Sequence, residues 1–477
     1  MSFYSSAVPI PGRFRRALGS FTLSSGLAFS EVLSEEKIRQ VCHEEGIAIQ
    51  SSADDIYTLP VTLWAFLAQV LHKEEQRSCR AAVDRVITSL TADGQAPCSG
   101  NTGAYCRARG RLPEGLLRRL ACETAEGCEQ AAPHAWLWHG RHVKLVDGST
   151  CSMPDTEKNQ KEFPQHGVQK KGVGFPIARL VVVVSLATAL VSGMALGPYQ
   201  GKETGETALL RQLLMAHFQP GEIVLADRCY CSYFMLALCI ELDLDCVFRL
   251  HQKRAVDFRR GQRLGKHDHL VQWTRPARPD WMDQETYDRM PETLTLREVQ
   301  FHIDEPGRRT ESIVIVTTLR NARKYTREDL AELYHKRWLA EIDLRAIKCN
   351  IGMDVLRCKS PRLVRREMWA CLLAYNLIRQ TILEAALRGS VSPRGLSFTS
   401  ALQKVTACLS ALEHCDRATA QRVMAVHLDD MLRHRVGQRP NRVEPRAIKR
   451  RPKPHKLLTV PRAEARRKLL DGDESYH

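Results

Sequence analysis

Residues 180–201, LVVVVSLATALVSGMALGPYQG, carry no charged side chain, so any fold of this chain must take the segment out of water. A run of this length approaches the roughly 20 residues that a membrane helix needs. Four consecutive valines favour extended backbone instead, and Ser192 with Gly193 falls where a hairpin would turn. The segment therefore reads as two buried strands, 179–190 and 191–199. There is no second segment of this kind, and a membrane partner is not expected.

The flanking sequence supplies the rest of a sheet. HVKLVDGS (142–149) reads as an apolar strand running into a turn, 222–226 as a short buried strand, and 246–250 as another. Helical spacing of apolar residues marks 204–218 and 232–242 between them. Three strands followed by alternating helices and strands predict a mixed α/β sheet flanked by helices. Residues 251–311 interrupt that rhythm with Arg, Asp and Pro, and carry Trp273 and Trp281; they read as an insertion of short strands. SIVIVTTL (312–319) returns to buried strand. Thr326 then caps what reads as one long helix, 327–350. Helices are also expected over much of 31–130, notably 59–71 and a helix from Glu35 capped by Ser34, and over 361–387 and 400–433. Residues 1–30 look irregular.

With 477 residues the chain suits several domains. The expected division is a mostly helical region 1–130, a sheet domain in two parts, 131–250 and 312–390, the insertion 251–311, and a helical, basic region 391–477. The formal net charge of +16 calls for a polyanionic partner, nucleic acid before anionic membrane. Residues 433–468 hold fourteen Arg or Lys against two Glu, with five prolines and the run KRRPKPHK at 449–456. That composition cannot be one helix and suits contact with a DNA backbone. Arg107, Arg109 and Arg111 are further candidates for phosphate contact. Sixteen cysteines include no CxxC pair, which argues against a structural zinc site and for free thiols in a reducing cytosol. No secretory signal is evident, so a cytoplasmic, nucleoid-associated protein is expected.

Three acids stand out. Asp147 and Asp227 each follow an apolar strand, where α/β proteins commonly place ligands, although Asp in such turns also serves the local backbone. On a regular helix Tyr334, Arg337, Glu341 and Lys348 fall within an arc of roughly 60°. One face would thus offer a carboxylate for a metal ion and cations and a phenol for phosphate oxygens, or simply a solvated face of paired charges.

These residues resemble a known family. Tyr334, Arg337, Glu341 and Lys348 match the Y-(2)-R-(3)-E-(6)-K signature of the insertion sequence 4 family of bacterial transposases. VDGS around Asp147, LADRCYCS around Asp227, Trp338 after the arginine and the basic KRRPKPHK fit as well, and the likeness runs from about residue 59 to about residue 456. It implies a ribonuclease-H-like catalytic domain in which Asp147, Asp227 and Glu341 form a metal-binding DDE triad. It implies DNA contacts for Tyr334, Arg337 and Lys348, with Arg228 and Trp338 beside the triad acids. A stacking aromatic for a flipped base would lie in the insertion. Trp273 and Trp281 are the candidates there, against a plain role in the core.

The implied chemistry is cleavage of DNA at the ends of the element and joining of the 3′ ends to target DNA. In such phosphoryl transfer two divalent ions stand about 3.5–4 Å apart. Carboxylate oxygens suit Mg²⁺, with Mn²⁺ as a substitute. The expected partners are double-stranded DNA, both terminal inverted repeats and target, and a second copy of the chain in a synaptic homodimer. Rival readings are a DNA-binding relative that no longer cuts and a nuclease of the same fold that never joins strands.

Overall fold

The computed structural model describes residues 35–47, 56–92, 94–302, 312–412, 417–437 and 459–472. They fall into two compact units, one comprising residues up to 136 with 187–192 and 343–436, the other 137–186, 193–342 and the residues from 437 on.

The first unit is helical. Its centre is the 28-residue helix Pro361–Arg388, buried along most of its length, which packs against helices Leu59–Leu71, Glu114–Gln130, Phe398–Leu412 and Arg417–Met431. Leu59–Leu71 follows the apolar spacing read from the sequence; Thr58 caps it and Pro60 occupies its first turn, where a missing N–H costs nothing. A helix does begin at Glu35, but Ser34, its expected cap, lies outside the described residues, as do residues 1–30 and KRRPKPHK. Buried charges in this unit are closely partnered. Asp343, fully buried, accepts from Arg379 at 2.8 Å, Arg394 at 3.0 Å and the Tyr375 hydroxyl at 3.2 Å. Arg109 does not offer itself as a phosphate contact: it donates to Gln69 at 3.1 Å and its guanidinium lies over the Phe66 and Tyr105 rings. Packing holds this side chain, whereas Arg107 and Arg111 are exposed.

The second unit is built on the sheet. Its strands are β1 (Val143–Ser152), β2 (Ile177–Ser185), β3 (Val191–Pro198), β4 (Ile223–Ala226), β5 (Asp245–Arg249), β6 (Gln262–Gly265), β7 (Asp268–Thr274), β8 (Thr293–His302) and β9 (Ser312–Thr317). Their order is β3-β2-β1-β4-β5-β9-β8-β7-β6. β1, β4 and β5 run parallel, and β2 is antiparallel to β1. The five-strand order β3-β2-β1-β4-β5 with helices between its later strands is a ribonuclease-H-like arrangement. β9 then joins β5 antiparallel, and the insertion strands extend the same sheet through it. One apolar core runs from Val146, Val181 and Val183 through Phe248 to Trp273, Leu294 and Leu296. Burying each such Val, Leu or Phe side chain is worth about 1.5–3 kcal/mol.

The uncharged run is a hairpin, but its turn is not at Ser192-Gly193. The chain reverses between β2 and β3 at residues 186–190, where Ala189 takes φ +64°. Gly193 makes room for a neighbour instead, since a Cβ there would stand 2.6 Å from the His217 ring of helix Glu206–His217. Among the described residues no helix is long and apolar enough to cross a membrane.

Trp273 is 4% exposed, and its indole donates to Glu298 at 2.9 Å. Trp281 packs against the same core, with the Arg211 guanidinium 3.6 Å from its ring centre. Both serve the interior of the sheet unit. The tail contributes a short helix, Arg462–Leu470, with Arg462 over the Phe175 ring.

Candidate active site

The parallel ladder between β1 and β4 fixes where two of the acids stand. Its last pair is Val146 with Ala226, so Asp147 and Asp227 are the next residues on neighbouring strands. Asp147 is not in a turn, as the DGS sequence suggested. β1 continues to Ser152 because β2 pairs with it throughout, Asp147 lying opposite Val182. Past Ala226 the chain instead leaves the sheet in a 3₁₀ turn, Arg228–Tyr230, which Asp227 caps by accepting from the Arg228 N–H at 2.5 Å. Glu341 comes from helix Trp338–Arg345 and accepts from Arg337 at 2.9 Å, one turn earlier.

The expected continuous helix 327–350 is three pieces. Helix Arg327–His335 ends at Lys336, and the hydrogen bonds tighten around Arg337, where Leu339 donates to Lys336 and Ala340 to Arg337. After Arg345 the chain widens into a π-helical turn, Ala346–Asn350, that holds Lys348. A uniform 100° per residue therefore does not carry from Tyr334 to Lys348, and Lys348 belongs to the helical unit. Tyr334, Arg337 and Glu341 remain together. Arg228 is exposed and donates to Gln252 at 2.8 Å; Trp338 is 49% exposed.

The electrostatics show which groups share a field. Asp147 is held at about 6: burial does most of this, the Gly148 N–H and Arg337 oppose it, and Glu341 and Glu206 add to it. Burial works against the charge of Arg337, yet Tyr334, Glu341 and Asp227 hold its guanidinium above the ordinary range. Burial likewise pushes the Tyr334 phenol up, so it stays a hydrogen-bond donor.

Glu206 is the residue that sequence reasoning missed. It opens helix Glu206–His217. Its carboxylate lies directly over Gly148: a Cβ at 148 would fall 2.2 Å from its carboxyl carbon. It also accepts from the Tyr230 hydroxyl at 3.4 Å and the Cys229 thiol at 3.6 Å, both in the turn after Asp227. The one signal in the sequence was Gly148 itself, which could have been read as a close approach rather than as a turn.

Whether these groups suit a metal can be judged from the donors. Asp147, Asp227, Glu206 and Glu341 offer carboxylate oxygens, the ligands that Mg²⁺ and Mn²⁺ prefer, and the repulsion that raises Asp147 is what a cation would relieve. As placed, no three His, Cys, Asp or Glu side chains among the described residues are grouped to hold an ion. The donor set fits a hard divalent cation, and the carboxylates have to draw together around it.

The family described as Transposase DDE domain matches residues 138–377, which include all three acids. This chain belongs to the DDE transposases. Over 408 residues the transposase is 27% identical to "Transposase InsG for insertion sequence element IS4" of Escherichia coli K12, covering 83% of this chain and 86% of that one. The "Putative transposase InsZ" of the same organism is 24% identical over 147 residues, 27% of this chain and 48% of that protein. The solved piggyBac transposase synaptic complex with hairpin DNA has a TM-score of 0.43 to this transposase at 9% identity, covering 90% of this chain and 89% of that one. The first relative is itself the transposase of an insertion sequence 4 element, and enzymes of the DDE family generally work with divalent metal ions.

Proposed function

We propose that this transposase binds the terminal inverted repeats of its element, cuts DNA there and joins the 3′ ends to target DNA, with Asp147, Asp227 and Glu341 as its metal-binding acids. The observation that carries this reading is the register of β1 and β4, which sets Asp147 beside Asp227, with Glu341 close enough to raise Asp147. Bound Mg²⁺ or Mn²⁺ would neutralise charge on the attacked phosphate and on the leaving oxygen. The remaining work falls to the chain. Arg337 and Tyr334 donate to phosphate oxygens; Lys348 and Arg228 add cationic contacts, and Trp338 offers an exposed ring to the DNA. In taking a phosphate, Arg337 releases the Glu341 carboxylate that it now holds, which couples DNA binding to assembly of the acids. Two ends must be cut together, so the working form is a synaptic homodimer on double-stranded DNA, in the cytoplasm at the nucleoid.

The test is strand cleavage and joining on a DNA substrate carrying the element's ends, with Mg²⁺. Asp147→Asn, Asp227→Asn and Glu341→Gln should each abolish cleavage while leaving DNA binding intact. A variant that still cut at the normal rate would remove that acid from the mechanism. Cut DNA without any joined product from the unaltered chain would make the enzyme a nuclease.

A further inference from the structure

Beside the acids, within the sheet unit, a pocket of about 370 Å³ opens at the ends of β4 and β5. Three arginines are among its lining residues: Arg228, next to Asp227, Arg249, the last residue of β5, and Arg254. His251 adds an imidazole, and no carboxylate is among the lining residues. Elsewhere in this unit arginines meet acids, as Arg297 does with Asp268 through two bonds of 2.8 and 2.6 Å. Here the nearest arrangements are different. Arg228 donates to the neutral amide of Gln252 at 2.8 Å. Arg254 lies 3.7 Å from the centre of the Trp273 ring, a ring fixed from behind by its bond to Glu298. Apolar Val256, Phe258 and Val314 also line it.

Three cations converging on one cavity repel each other unless an anion joins them. The guanidinium fork matches phosphate oxygens, and a wall of Phe and Val suits the C–H faces of a sugar. A cavity of this size is too small for a duplex and large enough for a single backbone phosphate with its deoxyribose. We propose that the pocket is a binding subsite for one backbone phosphate of the DNA strand that runs past Asp227, held by Arg249 and Arg254 with Arg228 at its rim. The subsite rests on the proposed function and deepens it by adding a strand contact outside the segment that carries Tyr334 and Arg337. It fixes the path of the strand on the β5 side of the acids, and it draws Arg254 off the Trp273 ring when filled.

The full-length protein in EDTA, with a duplex carrying the element's ends, tests this without engaging the acids as metal ligands. In Arg249→Gln and Arg254→Gln the salt slope of DNA binding should fall by about 0.9, the value for one phosphate, with roughly tenfold weaker binding. Arg249→Lys should restore most of the slope, which a merely structural role would not produce. In a Trp338→Phe background, which removes the exposed ring offered to DNA, DNA should change tryptophan emission, and much less once Arg254→Gln is added. Inorganic phosphate at millimolar concentration should reproduce little of that change if the ligand is DNA; an equal response to phosphate alone would make this a free-anion site and overturn the proposal. So would salt slopes in both Gln variants equal to that of the unaltered protein. Since these measurements need no cleavage, they can fail while the Asp147, Asp227 and Glu341 variants behave as expected, or succeed while those do not.

Discussion

Asp343 is a fully buried acid and Asp147 a half-buried one, and the two units treat them in opposite ways. In the helical unit Asp343 has two arginines and a tyrosine hydroxyl within 3.2 Å, a closed arrangement in which every charge has a counterpart. In the sheet unit Asp147 accepts from the N–H of its own neighbour Gly148 at 2.9 Å; burial first, and then the carboxylates of Glu341 and Glu206, raise its acid to about 6. Breaking a closed buried pair costs stability, since the remaining partner is left uncompensated. A cluster of like charges costs stability while it is intact, and a fold keeps such a cluster where a ligand can relieve it. The same residue types thus form a closed network in one unit and leave carboxylates open to a ligand in the other.

The largest expected effect separates the two acids by activity. Asp147→Asn should lower strand cleavage by roughly a thousandfold, in the range seen when a group that meets the reacting charge is removed. Asp343→Asn should destabilise the protein by about 3–5 kcal/mol, since Arg379 and Arg394 would lose their counter-charge. Its cleavage rate per folded molecule, read at a temperature where the variant remains folded, should be near normal. If Asp343→Asn instead cut poorly while fully folded, closed and open acids would not divide by function.

Stability should move the other way at Asp147. A carboxyl held above its ordinary value penalises the fold only when charged. That penalty is absent below about pH 4, grows as the pH rises toward 6 and is complete above it. Raising the acid from 3.8 to about 6 corresponds to roughly 3 kcal/mol, an upper figure for a group not wholly buried. In EDTA, Asp147→Asn should therefore melt higher than the unaltered protein at pH 7.5 and lose that advantage by pH 4.5. A variant equal or lower in melting temperature at pH 7.5 would show that the acids do not strain the metal-free fold.

Gly148→Ala tests the crowding itself. The new Cβ would meet the Glu206 carboxyl carbon at 2.2 Å, so the end of that side chain must swing away from residue 148. Overpacking of this kind costs about 1–3 kcal/mol. Cleavage should fall further than stability, because the displaced Glu206 carboxylate is one of those that act on Asp147. Gly193→Ala, pressed against His217 away from the acids, is the control: a similar loss of stability with cleavage per folded molecule retained.

Local periodicity made much of the sheet unit legible. The buried strands 222–226 and 246–250 and the helices between them were marked by runs that can only be satisfied inside, and the structure has them within a residue or two. What failed were inferences from residues with two uses. Gly193 and Gly148 both looked like turn formers, yet both permit a side chain from elsewhere to approach the backbone. Arg109 looked like a surface cation and is stacked on Phe66. Helical spacing could place Glu341 one turn after Arg337, but it could not foresee the tightening at Arg337 or the π turn before Lys348, which change the phase without changing the pattern of apolar residues. Glu206 was invisible for a related reason: an acid in the first turn of a helix is ordinary, and only the fold brings it over Gly148.

The smallest expected change in stability comes from the arginines on each side of the comparison. Arg379 is fully surrounded, but Arg379→Gln leaves Asp343 paired with Arg394, so a smaller loss than that of Asp343→Asn is expected. Arg337 pairs with Glu341 across one helical turn, and the glutamate is more than a third exposed. Water already screens such a pair, so Arg337→Gln should cost at most about 0.5 kcal/mol. Its effect should appear in binding: weaker DNA affinity with a shallower salt dependence, and Mn²⁺ binding in the absence of DNA at least as tight as in the unaltered protein, since Glu341 is no longer held. If Arg337→Gln lost metal affinity without DNA, the arginine would be supporting the carboxylates rather than withholding one of them, and the coupling of DNA contact to assembly of the acids would fail.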